Sequence, residues 1–199
     1  MRAAFFPRIE GVDVDADRET ALQRLAPAHR AMLRDAGFDP DSMATAEQVH
    51  GGEAAVVKSG GKSPGVDALV TAEPGLTLGI YVADCAAVYV ADRKRRAIAL
   101  LHSGRAGTEA NITGRTIRLM TDAFGIDPAD LFVHVSPCIR PPLYETDFAA
   151  AISDQARAAG VVDVRDDAIC TGANVARYYS YRVERGRTGR MLAALSLLP

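Results

Sequence analysis

The sequence is poor in cysteine and has no long run of apolar residues. Its three cysteines, Cys85, Cys138 and Cys170, are too few and too scattered along 199 residues for a disulfide framework. No segment approaches the roughly 18 apolar residues of a membrane span, and the N-terminal MRAAFFPRIEGVD has no small-residue cleavage site. We therefore expect a cytoplasmic protein without a membrane partner, in which a thiol serves metal binding or thiol chemistry.

An excess of charge of either sign is also missing. Lysine and arginine total 23 against 25 aspartate and glutamate residues, which gives no general electrostatic reason to expect nucleic acid as a partner. Neither G-x-G-x-x-G nor G-x-x-x-x-G-K-[ST] occurs in the chain. Because the β-rich middle also lacks helices between most strands, a doubly wound nucleotide-binding fold is disfavoured.

Hydrophobic residues make up 48% of the chain, enough to bury a substantial core, and we expect a single domain over residues 1–199. Apolar spacing predicts helices over residues 15–38, 112–125 and 146–160. Pro27 is expected to kink or divide the first of these helices, because proline removes a backbone donor.

Short β-rich runs separated by glycine, proline or charged turns fill the middle and the end of the sequence. The predicted strand regions are residues 3–6, 43–102, 131–136, 161–164 and a terminal pair of strands around a turn at 186–189. The expected fold class is therefore α/β or α+β, with layered mixed β-sheets flanked by helices.

Three residues with metal-binding side chains lie at the ends of apolar runs, where we expect strands to end: His50 in AEQVHGG, Cys85 in YVADCAAVY and His102 in LLHSG. If neighbouring strands bring these residues together, two imidazoles and a thiolate would hold zinc and leave a fourth position for water or substrate. The chain has no local C-x-x-C or H-E-x-x-H motif. An ordinary buried thiol with two turn histidines therefore remains an alternative at this point.

The same atoms support a second mechanism. Cys85 would be a nucleophile, His102 would accept its proton, and the loop containing Gly104 and Gly107 would offer backbone N–H groups to an oxyanion. A thiolate bound to zinc is occupied and charge-neutralised, so the two mechanisms should not operate in the same state.

Five fragments in this order resemble the YfiH-like family, long described as polyphenol oxidase or laccase-domain proteins: QVHG, VDALVTAEPGLTLGIYVADC, LLHSG, SPCIRPPLYE and YSYR…TGRMLAAL. The resemblance extends from about residue 45 to the C-terminus. It implies packed sheets flanked by helices, a fold related to the Cys–His catalytic domain of a deamidating toxin. It also implies phosphorolysis of adenosine, inosine, guanosine and methylthioadenosine, and hydrolytic deamination of adenosine. The older description implies copper-dependent oxidation of phenols.

Carried over by motif, His50, Cys85 and His102 match the zinc-binding trio of the family. Glycines 104 and 107 would let the backbone pass close to a ligand. Asp84 would either support a ligand from outside the trio or be an exposed turn carboxylate, and both alternatives stay open.

The turn after His102 departs from the family pattern. The family commonly has H-A-G-W-R-G, whereas this chain has H-S-G-R-A-G, with Arg105 at the tryptophan position. The planar guanidinium of Arg105 suits phosphate or a developing oxyanion, so we predict it as an active-site residue, with a solvated turn charge as the alternative.

The family motif G-P-A-I-G-P-C-C-Y-E appears here as SPCIRPPLYE, so Cys138 inherits no catalytic role. Buried packing is the favoured role of Cys170, and His29 and His134 are treated as structural. The segment between Tyr144 and Cys170 is shorter than in typical relatives, which would open or reshape the pocket. Tyr144 and Glu145 are candidate lining residues, Arg182 and Arg190 are candidate anion sites, and Arg8 is a candidate counterpart of a family arginine.

The leading hypothesis is a zinc-dependent purine nucleoside enzyme with His50, Cys85, His102 and Arg105 in its active site. Its partners would be a purine nucleoside and phosphate, and we expect a monomer or a small homo-oligomer. Three alternatives remain: a Cys–His amidase or deamidase, a degenerate member that only binds ligands, and a copper polyphenol oxidase. The copper enzyme ranks lower because one cysteine and two histidines do not provide several copper sites.

Overall fold

The computed structural model describes residues 1–198, which form four helices and eleven strands. The helices are α1 (Arg18–Asp35), α2 (Arg105–Glu109), α3 (Ile112–Phe124) and α4 (Phe148–Ala158). The strands are β1 (Arg2–Phe6), β2 (Met43–Ala46), β3 (Ala54–Val56), β4 (Gly61–Ser63), β5 (Ala68–Thr71), β6 (Thr77–Val82), β7 (Ala86–Asp92), β8 (Ile98–Ser103), β9 (Leu131–Val135), β10 (Asp163–Asp166) and β11 (Met191–Ser196).

The strands form two sheets, and both sheets are mixed. The first sheet has the order β1-β11-β6-β2-β4, in which β2 runs parallel to both of its neighbours. The second sheet has the order β10-β9-β7-β8-β5-β3, in which both edge strands are parallel to their neighbours and the central pairs are antiparallel. The predicted α/β class with mixed sheets is confirmed.

Apolar side chains divide the molecule into four layers. Leu78 and Ile80 of the first sheet pack against Leu100 of the second sheet, so one core lies between the sheets. Helices α3 and α4 cover the outer face of the second sheet, and α1 covers the outer face of the first. Because both of its faces are covered, all seven residues of β7 are buried.

Helix α1 is continuous through Pro27, so the predicted division does not occur. Asp17 caps the helix by accepting from the backbone N–H groups of Glu19 and Thr20. Proline in a helix interior removes one hydrogen bond. Leu25 before it and Leu33 after it are both buried in clusters that contain residues of the first sheet, which holds the two halves of the helix in place.

No helix within residues 1–198 combines the length and the apolar character needed to cross a lipid bilayer.

Of the predicted terminal pair of strands, the first strand does not form, so that prediction is wrong. Only β11 forms, and it pairs with β1 on one side and β6 on the other, while residues 181–186 form turns. Side chains satisfy the backbone there: Glu184 accepts from the Ser180 N–H at 2.9 Å, and Asp84 accepts from the Arg182 N–H at 2.7 Å. These two side-chain hydrogen bonds, one local and one from a distant turn, take the place of a strand ladder.

Candidate metal centre

The predicted convergence of His50, Cys85 and His102 occurs in the structure. One ligand atom from each side chain lies within 4.8 Å of the others, and the two imidazole rings meet edge to face with centroids 4.8 Å apart. We call these three residues the His–Cys–His cluster. Two nitrogens and one sulfur at this separation form the kind of donor set that holds a divalent transition metal.

Strand pairing explains the approach of two members of the cluster. Cys85 lies in the turn between β6 and β7, immediately before Ala86. His102 is in β8 and pairs with Ala87 across the antiparallel ladder, which brings its ring next to the sulfur. The prediction that strand ends carry these two residues agrees with the structure.

His50 differs from the other two because it lies in the loop between β2 and β3 with a φ of 64°. The preceding Gln48 fixes this loop to the first sheet: its side-chain amide donates to the Tyr81 carbonyl at 2.5 Å and accepts from the Tyr81 N–H at 3.0 Å. The loop is therefore held by side-chain hydrogen bonds, and the expectation of a strand end is wrong for His50.

Asp67 organises the cluster, although sequence reasoning did not identify it. Its fully buried carboxylate accepts from the His50 N–H at 2.9 Å, the Gly51 N–H at 2.7 Å and His102 Nδ1 at 2.8 Å. Burial raises the pKa of Asp67, but these hydrogen bonds outweigh burial and lower it. An ionised carboxylate only accepts, so Nδ1 of His102 carries the proton and Nε2 is left for a ligand. The available sequence signal was a carboxylate directly before the apolar run ALVT.

The metal-free cluster favours a thiolate beside an imidazolium. Burial raises the pKa of the Cys85 thiol, but the charges and hydrogen bonds of His102 and His50 together lower it to about 6. Burial lowers the pKa of His102, whereas Cys85 and Asp67 raise it to about 9. A thiol with a lowered pKa is both a better metal ligand and a stronger candidate nucleophile at neutral pH.

The two glycines that follow His102 have different roles. A Cβ atom on Gly104 would lie 2.5 Å from the Cys85 sulfur, so only glycine lets the chain pass the cluster at this point. Gly107 lies within α2, where a Cβ atom would approach the carbonyl oxygen of Gly51 at 3.1 Å. The predicted close approach to a ligand therefore applies to Gly104, while Gly107 packs against the His50 loop.

Asp84 lies in the turn directly before Cys85 and is not exposed. It is buried, and its carboxylate accepts from the Thr171 hydroxyl at 2.7 Å, the Ser180 hydroxyl at 3.0 Å and the Arg182 N–H at 2.7 Å. These bonds tie two distant segments to the turn that carries Cys85. Asp84 is therefore not an exposed turn carboxylate, and it supports Cys85 through the turn instead of through a hydrogen bond to a cluster side chain.

The cluster opens into a cavity of about 960 Å³, near the upper end of the size range of small-molecule sites. Apolar and aromatic residues form part of its wall, namely Ile139, Tyr144, Phe148 and Tyr181. Four arginines also line it, namely Arg18, Arg105, Arg182 and Arg190. The cavity thus combines surfaces for a ring system with cations for an anionic group.

Two of these arginines are paired with carboxylates. Arg105 begins α2, is 56% exposed, and donates from Nε to Glu109 at 2.9 Å. Arg182 makes two hydrogen bonds of 2.9 Å to Glu145 and lies 4.8 Å from the centre of the Tyr144 ring. Tyr144 lines the cavity as expected, whereas Glu145 is not part of the lining and only binds Arg182, which is part of it.

The other two cysteines lie outside the cavity wall. Burial raises the pKa of Cys138 to about 12, and its side chain packs in the core beneath α4. Cys170 is half-buried, with its sulfur 3.8 Å from the Arg140 carbonyl oxygen. The packing role expected for Cys170 agrees with this position.

The remaining candidates take structural positions. His29 is buried in α1 beside the Tyr81 ring, and His134 stacks on Tyr89 and bonds to Asp167 at 2.9 Å. Arg8 pairs with Glu184 at 2.6 Å and lies over the Tyr179 ring, outside the cavity lining.

Together the fold and the cluster define an α/β protein with a candidate centre for a single metal ion. A family described as multi-copper polyphenol oxidoreductase laccase matches residues 9–147 and 144–198. A purine nucleoside phosphorylase of Deinococcus radiodurans is 32% identical over 94% of this chain and 82% of its own length. One from Streptomyces coelicolor is 31% identical over 89% and 80%. The chain therefore belongs to this laccase-domain, YfiH-like family.

Solved structures agree with this assignment. The crystal structure of YlmD from Geobacillus stearothermophilus superposes with a TM-score of 0.86 at 26% identity, covering 99% of this chain and 91% of that one. YfiH from Bacillus licheniformis has a TM-score of 0.79 at 21% identity, covering 88% and 81%, and shows the shared fold.

Proposed function

We propose that this protein is a zinc-dependent purine nucleoside phosphorylase. It would cleave adenosine, inosine, guanosine or methylthioadenosine with phosphate, giving a free purine base and a pentose 1-phosphate. The observation that supports this most is the His–Cys–His cluster at the wall of a small-molecule cavity. Relatives that are 31–32% identical over most of the chain are named purine nucleoside phosphorylase.

The donor chemistry of the cluster fits zinc. Two imidazole nitrogens and one thiolate leave a coordination position for a reactant, and Asp67 orients His102 from outside the donor set. A zinc ion held by His50, Cys85 and His102 would supply Lewis-acid activation of an oxygen nucleophile.

The residues around the cluster would bind and orient the two substrates. Tyr144 and Phe148 pack edge to face and offer apolar surface to a purine ring. Arg105 uses only its Nε in the bond to Glu109, so its two terminal nitrogens remain for phosphate or a developing negative charge. In the reaction a phosphate oxygen forms a bond to the ribose C1′ while the bond from C1′ to the purine breaks. The departing purine nitrogen keeps the bonding electron pair and takes up the proton that the phosphate hydroxyl loses.

Hydrolytic deamination of adenosine is a second activity that we propose for the same cavity. Water would attack the purine carbon that carries the amino group and release ammonia, which needs no phosphate. The two reactions therefore differ in their requirement for the second substrate.

Metal-defined protein incubated with each of the four nucleosides, with and without phosphate, tests both reactions. Chromatography should show free base only when phosphate is present, whereas inosine formed from adenosine without phosphate would reveal deamination. Absence of every product from folded protein with bound zinc would contradict the proposal. Nucleoside binding without turnover would instead support a degenerate, ligand-binding member of the family.

A Cys–His amidase or deamidase is the second candidate, because the pKa of Cys85 is lowered to about 6 and Asp67 supports His102 as in a triad. A thiol-directed amide analogue should then label Cys85 in metal-free, active protein. Activity that depends on zinc would argue against this mechanism.

Copper oxidation of phenols has only the family description in its favour. Within the described part of the chain, the His–Cys–His cluster is the one group of three or more potential ligands, whereas coupled oxygen reduction uses several copper ions. Copper-dependent oxygen uptake with a simple phenol would restore this candidate.

For the phosphorylase we retain the expectation of a cytoplasmic location. We also retain the expectation of a monomer or small homo-oligomer, and sedimentation velocity would test this oligomeric state.

A further inference from the structure

Arg190 is a buried cation at the cavity wall without a carboxylate partner. Only 8% of the residue is exposed, and throughout residues 1–198 no acidic side chain forms an ion pair with it. Its Nη1 donates to the carbonyls of Thr188 at 2.8 Å and Gly189 at 2.9 Å, which fixes the guanidinium. Nε and Nη2 have no hydrogen-bond partner in the described structure. A buried charge is costly unless a counter-charge or hydrogen bonds compensate it.

A second cation without a carboxylate partner lines the same cavity. Arg18 begins α1, and its terminal nitrogens donate only to the Glu47 carbonyl, at 3.3 and 3.4 Å. Arg18 and Arg190 line the same cavity. Burial and then the charge of Arg18 lower the pKa of Arg190, against the opposing charges of Cys85, Tyr181 and Asp84. Two neighbouring like charges at a cavity wall favour binding of an anion.

The other two arginines of the cavity differ in this respect. Glu109 neutralises Arg105 and Glu145 neutralises Arg182, so these two cations attract an anion less strongly. Arg18 and Arg190 are therefore the two arginines of the cavity wall that have no carboxylate within ion-pair distance in the described residues.

We infer that Arg18 and Arg190 form a subsite for a phosphate group. The free Nε and Nη2 of Arg190 have the fork geometry that binds two oxygens of one phosphate, and Arg18 adds a second charge. The assignment of this phosphate as the second substrate rests on the proposed phosphorolysis. The same subsite chemistry would also accept the phosphate group of a nucleotide.

Direct binding of inorganic phosphate to the full-length protein as purified, measured by calorimetry, tests the subsite. We expect the dissociation constant to rise about tenfold or more in Arg190→Gln and severalfold in Arg18→Gln, with Arg190→Lys between wild type and Arg190→Gln. Arg24→Gln is the matched control, because Arg24 lies in α1 and pairs with Asp13 away from the cavity. Equal dissociation constants in wild type and in both glutamine variants would overturn the inference.

A parallel titration with AMP separates the two sources of phosphate. Loss of phosphate binding in Arg190→Gln with unchanged AMP binding assigns the subsite to free phosphate. Loss of AMP binding, in a protein that does not bind inorganic phosphate, assigns it to a phosphate ester. Binding of both ligands without dependence on Arg190 contradicts the subsite.

Kinetics distinguish failure of the subsite from failure of the proposed function. A rise in KM for phosphate with unchanged KM for inosine supports an anion role, because a merely structural role would affect both. Phosphate binding that depends on Arg190 in a protein without nucleoside turnover keeps the subsite and contradicts the phosphorylase. Phosphorolysis with an unchanged KM for phosphate in both variants keeps the phosphorylase and contradicts the subsite. If Arg190→Gln does not fold, phosphate binding by Arg18→Gln, a substitution at an exposed position, is the measurement that tests the subsite.

Discussion

At the scale of single residues, Asp67 determines the geometry of the candidate metal centre without entering the donor set. One carboxylate fixes the backbone of the His50 loop through two N–H groups and the ring of His102 through Nδ1. The same buried carboxylate therefore holds His102 by its ring and His50 by its backbone. Supporting residues of this kind set both the tautomer and the direction of a metal-binding imidazole.

The first prediction concerns Asp67→Asn. The amide keeps the size of the carboxylate but removes its charge and turns one acceptor into a donor, which would face an N–H group of the loop. We expect zinc affinity to fall by about 10- to 100-fold, measured by competition with a chelator.

Asp167→Asn provides a matched control, because Asp167 bonds to His134 at 2.9 Å in a histidine–carboxylate pair that does not line the cavity. Zinc affinity should not change in this variant. Equal losses in the two variants would show that the Asp67 effect is general and not specific to the cluster.

The second prediction concerns the sulfur itself. Cys85→Ser replaces a thiol with a lowered pKa by a hydroxyl that stays protonated at neutral pH and binds zinc poorly. We expect stoichiometric zinc and nucleoside turnover to be lost together, measured by metal analysis and chromatography. Cys170→Ser, at a half-buried position outside the cavity lining, should retain both. Retention of both by Cys85→Ser would reject the proposed site.

At the scale of elements, the turn from β8 to α2 is built around the cluster. Gly104 separates the strand that carries His102 from the helix that begins at Arg105, and it contacts the Cys85 sulfur with its backbone. This close approach explains why a glycine directly follows the end of β8.

Gly104→Ala is the third prediction. The added methyl group would lie 2.5 Å from the sulfur, so either the thiol or the turn must move. We expect zinc binding and turnover to fall sharply in a protein with near-wild-type circular dichroism. Gly51→Ala, where the nearest atoms would be 3.6 Å away, should be tolerated. A fully active Gly104→Ala would mean that the cluster adjusts to a shift in its sulfur.

Elements with a strong local pattern were predicted best. The helix predicted over 112–125 forms as α3 and ends at Gly125 in a left-handed conformation, because its apolar face and its glycine cap agree. The terminal pair of strands was predicted wrongly. The β-rich pattern before residue 186 is a local property of the sequence. The backbone there is instead satisfied by two side chains: Asp84, which reaches it through a tertiary contact, and Glu184, which lies in the same turn.

At the scale of the whole molecule, the cluster joins the two sheets. The loop of His50 runs from β2 of the first sheet to β3 of the second, while Cys85 and His102 border strands of the second sheet. Gln48 bonds to the first sheet and Asp67 precedes a strand of the second. The distance between ligands therefore depends on how the two sheets pack.

The fourth prediction is a pH dependence of stability that arises where α1 covers the first sheet. Burial lowers the pKa of His29 from its ordinary value of 6.5 to about 4, against a smaller opposing effect of the Arg190 backbone. Below pH 6.5 the unfolded chain binds a proton at His29 that the folded protein does not, so stability falls as the pH falls. The loss should reach about 2 kcal/mol near pH 5.

Urea unfolding of wild type and His29→Leu near pH 7.5 and pH 5 tests this prediction. The free energy of unfolding of the variant should fall less between the two pH values, by about 2 kcal/mol. Leu25→Val, on the same buried face of α1, should lower stability equally at both pH values. Parallel curves for wild type and His29→Leu would contradict the assignment.

The sequence by itself determined the fold class, the main helices and the three candidate ligands, because periodicity, glycine caps and ordered motifs are properties of local chain segments. Only the tertiary structure revealed Asp67 as the common support of both histidines, Asp84 as a link between distant segments, and Arg190 as a buried cation without a carboxylate partner. Each of these roles depends on which polar groups meet after two sheets pack together. No spacing along the chain encodes that meeting, because the partners are separated by up to 98 residues.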